Sequence, residues 1–311
     1  MHAEIATINE SKAVFDDIYN EADPRSYFSI LGSLNYMIPD VAEPIIRQIL
    51  AAKAALYGNV TVLDVGCSYG INAATHRFPV NFTSLLGRYA RREMMSIASD
   101  KLIELDRHFY ASWPDIGSAE FIGIDVSESA IRYANDTGLH ANGVAADLES
   151  GNLSAADVAI LAPANVLLST GSIGYVSDRT YKKLLQVVSN RTWAISFVLR
   201  MFPYDGFIST FREQGMVTEK LTSATFVQRR FRDADEFEKC LSALAERAID
   251  TQGFEAEGLF HADLFLSRPA DDAKAMPIDE VVTISSGRYS SFGARFVQID
   301  QPDGAQTVLE S

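Results

Sequence analysis

The stretch at residues 60–70, VTVLDVGCSYG, constrains this chain more than any other: an apolar, β-branched run interrupted by one acid ends on Gly66, with a second glycine at Gly70. A run without period-two alternation reads as a strand buried on both faces, which is how strands of a parallel sheet read. The glycines mark a tight turn into a helix starting near residue 71. A strand of this kind needs parallel neighbours reached through crossover helices, and the sequence supplies them. Residues 121–126 (FIGIDV) form a second apolar strand, followed by Ser127 as helix N-cap; residues 143–147, 165–169 and 193–199 give a third, fourth and fifth. Further strands are predicted at 225–231 and 259–267, with helices over 178–188 and 233–249. Strands alternating with helices predict an α/β fold with a mostly parallel, doubly wound sheet covered on both faces.

Three segments lie outside that alternation. Residues 1–57 are predicted as a helical N-terminal extension or lid, with helices over 11–19 and 41–56 and breaks at Pro24 and Pro39. Residues 76–119 read as a helical insertion, expected near the rim of the site, within an α/β domain spanning 58–270. Residues 271–311 show little periodicity and are expected to be a peripheral C-terminal extension.

Charge narrows the partners. A formal net charge of −14 opposes binding to nucleic acid or an anionic membrane, because phosphates are neutralised by a surplus of Lys and Arg. A small-molecule substrate, neutral or cationic, fits better. Two cysteines, Cys67 and Cys240, are too few for a disulfide scaffold or a zinc cluster, so reduced thiols are expected. The N-terminus lacks a basic region followed by an apolar run, and no apolar stretch reaches membrane-spanning length, so a cytoplasmic protein is expected. No metal is expected, since neither H-x-x-x-H, H-E-x-x-H nor a cysteine pair occurs. Nothing in the sequence fixes the oligomeric state.

In an open parallel sheet, ligands bind beyond the carboxyl ends of the strands where strand order reverses. Here those ends carry Asp64, Gly66, Ser68 and Gly70 after the first strand, Asp125 after the second and Asp147 after the third. Across roughly residues 58–267 this linked pattern resembles the class I S-adenosylmethionine-dependent methyltransferases: LDVGCSYG matches the family's acid-x-Gly-x-Gly-x-Gly loop, GIDVSESAIRYA its second-strand acid and helix, and AADLE its adenine-facing acid. The resemblance implies a Rossmann-like class I methyltransferase fold binding S-adenosylmethionine. It implies that Asp64, Gly66, Cys67, Ser68 and Gly70 line the methionine and ribose, that Asp125 and Val126 hold the ribose and pack on the adenine, and that Asp147 and Leu148 meet the adenine. Two departures stand out: Ser68 replaces the middle glycine, and the gap from Gly66 to Asp125 far exceeds the roughly 20 residues of a tight βαβ unit, the insertion accounting for the excess.

Rival readings are open to the same residues. The G-x-G-x-x-G dinucleotide fingerprint is missing, while Gly66-Cys67-Ser68-Tyr69-Gly70 spells the G-x-S-x-G nucleophile elbow of α/β-hydrolases, with His261 as a late base; that scheme leaves Asp125 and Asp147 unexplained. For catalysis, Tyr175 in the loop after the fourth strand is the candidate, set against simple packing on the next helix. Asn72 could reach the amino-acid end of the cofactor or act as a plain helix cap. Arg25, Tyr27 and Phe28 could close over the cofactor as a lid, Arg25 pairing a carboxylate and an aromatic facing the sulfonium, or could pack helix to core. His140 and His261 lack an acid at motif spacing and read as structural. The expected activity is methyl transfer to a small molecule. Two alternatives are a methyltransferase-like cyclase forming azetidine-2-carboxylate and methylthioadenosine, and a non-catalytic cofactor-binding module.

Overall fold

The computed structural model describes residues 16–284, 295–301 and 304–310. Three helices come first: α1 (Asp16–Tyr19), α2 (Arg25–Ser33) and α3 (Ile38–Tyr57). The part of the first expected helix over 11–15 lies outside the described residues. Pro39 does not break the chain as expected; it sits in the first turn of α3, where a missing N–H costs nothing because no carbonyl precedes it to accept.

The sheet opens with β1 (Thr61–Val65) and α4 (Ile71–Arg77), after which the insertion folds as α5 (Phe82–Tyr89), α6 (Arg92–Met95) and α7 (Ser99–Ala111). Alternation resumes through β2 (Glu120–Asp125), α8 (Glu128–Asp136), β3 (Asn142–Ala145), α9 (Ala155–Leu161), β4 (Val166–Ser169), α10 (Asp178–Leu185) and β5 (Trp193–Leu199). The Ser127 side chain accepts from Ala130 N–H at 3.2 Å, confirming it as the cap of α8. The chain continues through α11 (Asp205–Glu213), β6 (Met216–Lys220), β7 (Phe226–Arg230), α12 (Ala234–Glu246) and β8 (Leu259–Pro269).

Strand order is β3-β2-β1-β4-β5-β8-β6, with β7 paired to β8 alongside. The first five strands are parallel neighbours; β8 runs antiparallel to β5, β6 and β7. This is the mostly parallel α/β sheet expected. Order reverses between β1 and β4, so the carboxyl ends of these two central strands frame the crevice in which such folds bind ligands. Both strands are buried along their length apart from the half-buried Thr61, which explains their unbroken apolar reading.

Sequence reading missed α9, α11 and β6. β6 (MVTEK) is an edge strand with only Met216 fully buried, so its pattern lacks both the apolar run of a central strand and a full alternation. Beyond β8 lie α13 (Ala270–Ala275), α14 (Ile278–Val281) and an antiparallel hairpin of β9 (Arg295–Gln301) and β10 (Gly304–Glu310). The start of this tail is tied to the core: the Tyr57 hydroxyl and the Trp193 indole N–H both donate to the buried Asp272 carboxylate, at 2.5 and 2.8 Å. Among the described residues no helix is long and apolar enough to cross a membrane.

Candidate functional site

A cavity of about 490 Å³ opens at the switch point, within the range of small-molecule sites. Its floor is the loop after β1. Gly66 adopts φ +71°, and a Cβ there would lie 2.5 Å from the Ser172 Cβ, so only glycine lets the loops after β1 and β4 approach. Gly70, at φ +80°, caps α4 and turns the chain into it, away from the cavity wall. Ser68, standing where the resembling family has glycine, takes the same left-handed backbone at φ +48°. The loop keeps the glycine conformation although the side chain is larger, at a cost of about 1–2 kcal/mol.

Asp125 closes the end of β2 over this floor. Its Oδ2 accepts from Ser68 N–H at 2.8 Å and its Oδ1 from Ser127 N–H at 2.9 Å. Burial raises its pKa, opposed by those two backbone donors. Each oxygen retains a lone pair for a ligand. Val126, 69% exposed, and the buried Leu148 line the neighbouring wall. Asp147 faces solvent beside them, accepting from Ser150 Oγ at 2.6 Å and Glu149 N–H at 2.9 Å; the Ser150 bond holds its carboxyl below the usual range.

Asp64 corrects an expectation. It does not line the cavity but stands behind Asn72, whose amide donates to Asp64 Oδ1 at 2.9 Å and to Thr170 Oγ1 at 3.0 Å. Asn72 is therefore a surface residue of the site held by a buried acid, not a plain helix cap. Burial pushes the Asp64 carboxyl up to about 7, the Asn72 bond opposing and the Asp125 charge adding to the rise. Its Oδ2 is buried without a hydrogen-bond partner among the described residues.

The N-terminal segment roofs the cavity, and here the lid expectation divides. Tyr27 lines the cavity; Arg25 and Phe28 do not. Arg25 pairs Asp23 at 2.7 Å and donates to the carbonyls of Met94, Met95 and Ile97, while Phe28 stacks on Tyr89 of the insertion at 4.7 Å. No residue of 76–119 lines the cavity, so the insertion buttresses the roof from behind and does not form the rim. The roof is fastened to the floor as well: Tyr69 Oη donates at 2.9 Å to the carbonyls of Ile18 and Glu21, and Ser127 Oγ at 2.5 Å to that of Tyr19.

Tyr175 lines the cavity and is 42% exposed. Sequence reading missed Tyr19 and Tyr36, which join the roof from segments carrying no motif; their only signal was the aromatic content around residues 19–36. The hydrolase elbow is not assembled. Ser68 Oγ is buried, and His261 bonds the Thr225 hydroxyl at 2.9 Å and does not reach the cavity. His140 is fully buried and pushed down to about 3 by desolvation, hence a neutral core residue. Among the described residues no cluster of His, Cys, Asp and Glu is placed to hold a metal ion.

The sheet order, with the cavity at its switch point, is that of a doubly wound, mostly parallel α/β fold. No protein-family model and no curated protein matches the chain. Among solved structures it is similar to the plantazolicin methyltransferase BpumL in complex with SAH, at 14% identity over 86% of this chain and 98% of the other, with TM-score 0.41. A TehB-like SAM-dependent methyltransferase from Corynebacterium glutamicum is similar at 13% identity over 71% and 87%, TM-score 0.34. An O-methyltransferase from the trans-AT PKS multienzyme of Brevibacillus brevis, in complex with S-adenosyl-L-homocysteine, is similar at 8% identity over 73% and 72%, TM-score 0.35.

Proposed function

We propose that the chain is an S-adenosylmethionine-dependent methyltransferase acting on a small molecule, built from an α/β domain (58–270) roofed by residues within 16–57. The observation that carries this reading is the convergence of Gly66, Asp125 and Asp147, from three successive strand ends, on one cavity. The residues present suit the cofactor. Asp125 has lone pairs left for two ribose hydroxyls, Val126 and Leu148 offer apolar faces for a purine, and Asp147 an acceptor for its amino group. Asn72 and Thr170 face the amino-acid end, with Asp64 behind them. The cofactor supplies an electrophilic methyl on a cationic sulfur. The chain's part is to bind, align the acceptor in line with that methyl, and keep water out, a task that falls to the aromatic roof. Tyr175 is the side chain we assign to contact the acceptor.

The cavity's modest size under a roof supplied by the chain itself also suits a second reading, in which the cofactor's own amine is the nucleophile and azetidine-2-carboxylate and methylthioadenosine are the products. Incubation with S-adenosylmethionine alone, followed by mass spectrometry of the adenosine-containing product, separates the two. Intact cofactor is the expected result and leaves methyl transfer standing. Methylthioadenosine well above the spontaneous background replaces it with the cyclase. Cofactor that binds but stays intact with every acceptor offered identifies a non-catalytic binding module.

A further inference from the structure

The polar surface of the cavity is unusual in its charge. Four tyrosines from separate segments, Tyr19, Tyr27, Tyr36 and Tyr175, meet there, and among the described lining residues there is no Lys, Arg or His. Tyr27 stands edge-on to Tyr36, with ring centroids 6.4 Å apart and planes at 81°, and tilted against Tyr19 at 5.8 Å. Burial keeps the Tyr19, Tyr27 and Tyr36 hydroxyls protonated, and Tyr19 is raised further by Tyr36, Tyr175 and the nearby Asp125. The box therefore presents neutral hydroxyl oxygens and π-faces, both of which attract positive charge. Arg229, whose charge acts on Tyr19 and Tyr36, is held in a buried pair with Glu236 at 2.7 Å. The lining carboxylates are partly engaged: Asp125 by backbone N–H groups, and Glu149 by Ser177 and Thr180 hydroxyls at 2.7 and 2.6 Å.

Resting on the function proposed above, we infer that the acceptor is an amine, bound in the tyrosine box. The charge balance of the transfer is the reason. An amine nitrogen, after losing its ammonium proton to water, forms the N–C bond with its lone pair while the C–S bond breaks and its electron pair returns to sulfur. One positive charge thus passes from sulfur to nitrogen, and the box holds a single cation before and after. An alcohol or phenol needs a base, and the lining holds no histidine or lysine, while Asp125 and Asp147 are taken up by the cofactor and Glu149 by the Ser177 and Thr180 hydroxyls; a carboxylate or thiolate brings a negative charge against tyrosine π-faces and Asp125.

The test uses the full chain loaded with S-adenosylhomocysteine and titrated calorimetrically with choline and with its uncharged carbon isostere, dimethylbutanol. Choline binding at least ~10-fold tighter is expected, with the preference kept in Tyr19→Phe and reduced to less than ~3-fold in Tyr19→Leu. Equal binding of the two probes, or binding of neither, overturns the inference while the cofactor reading stands. Failure of S-adenosylhomocysteine to bind overturns the cofactor reading and the inference with it. As a second measurement, methyl incorporation from S-adenosylmethionine is compared across amines, alcohols, phenols, thiols and carboxylates of matched skeleton; turnover confined to amines is expected, and faster turnover of any other class overturns the inference.

Discussion

Replacing Asp64 by Asn tests whether the site stores a buried, poorly solvated acid behind its polar wall. The carboxyl ionises at about 7 in the folded chain against an ordinary 3.8, with burial the main cause. A group whose folded pKa is raised binds its proton more tightly folded than unfolded, so folding stability falls as pH rises between those two values. The difference of about 3 pH units, at 1.36 kcal/mol each, sets a ceiling of about 4 kcal/mol on the stability lost by pH 8. Asn keeps an oxygen for the Asn72 amide bond at Oδ1 and removes the charge, though its own amide then occupies the orphaned Oδ2 position. Urea unfolding at pH 5 and pH 8 measures the effect. From pH 5 only the two pH units up to about 7 remain, so the wild-type chain should lose up to about 2.7 kcal/mol across the interval beyond what Asp64→Asn loses, and the variant should weaken cofactor binding by removing the acid behind Asn72 and Thr170. Parallel stability profiles for the two proteins would refute the reasoning, because Asp64 would then ionise as it does in the unfolded chain.

Other perturbations separate the roles of the remaining residues. Asp125→Ala should weaken S-adenosylmethionine binding by roughly 1.5–3 kcal/mol through lost charge-assisted hydrogen bonds, read by calorimetry on the folded variant; unchanged affinity would remove the ribose from β2. Tyr175→Phe should lower turnover about tenfold at unchanged cofactor affinity, and equal turnover would assign Tyr175 to packing. Arg25→Ala should weaken cofactor binding although Arg25 touches no part of the cavity, because it releases the roof from the Met94, Met95 and Ile97 carbonyls; native-state hydrogen exchange should rise in α2 alongside. Ser68→Gly should stabilise the fold by about 1 kcal/mol by relieving a left-handed serine, seen as a raised unfolding midpoint.

The central strands and the floor of the site were legible in the sequence. β1, β2 and β4 are buried on both faces, so their continuous apolar runs stand out in the sequence, and the ligand-facing groups follow directly at their ends. That is why Gly66, Ser68, Asp125, Val126, Asp147 and Leu148 were legible and lie on one cavity. Long-range packing decided the rest. Asp64 reads as a ligand-facing acid in any strand-end motif, and only the interposed Asn72 places it one layer back. Arg25, Tyr27 and Phe28 are neighbours in sequence, yet helical geometry sends them in different directions, Tyr27 into the cavity and the other two against the insertion. Tyr19 and Tyr36 reach the site through the chain's path from α1 to α3, which no local pattern encodes. A floor built from strand ends is a local property of the chain; a roof is a property of which distant surfaces bury each other, so it appears only in the tertiary structure.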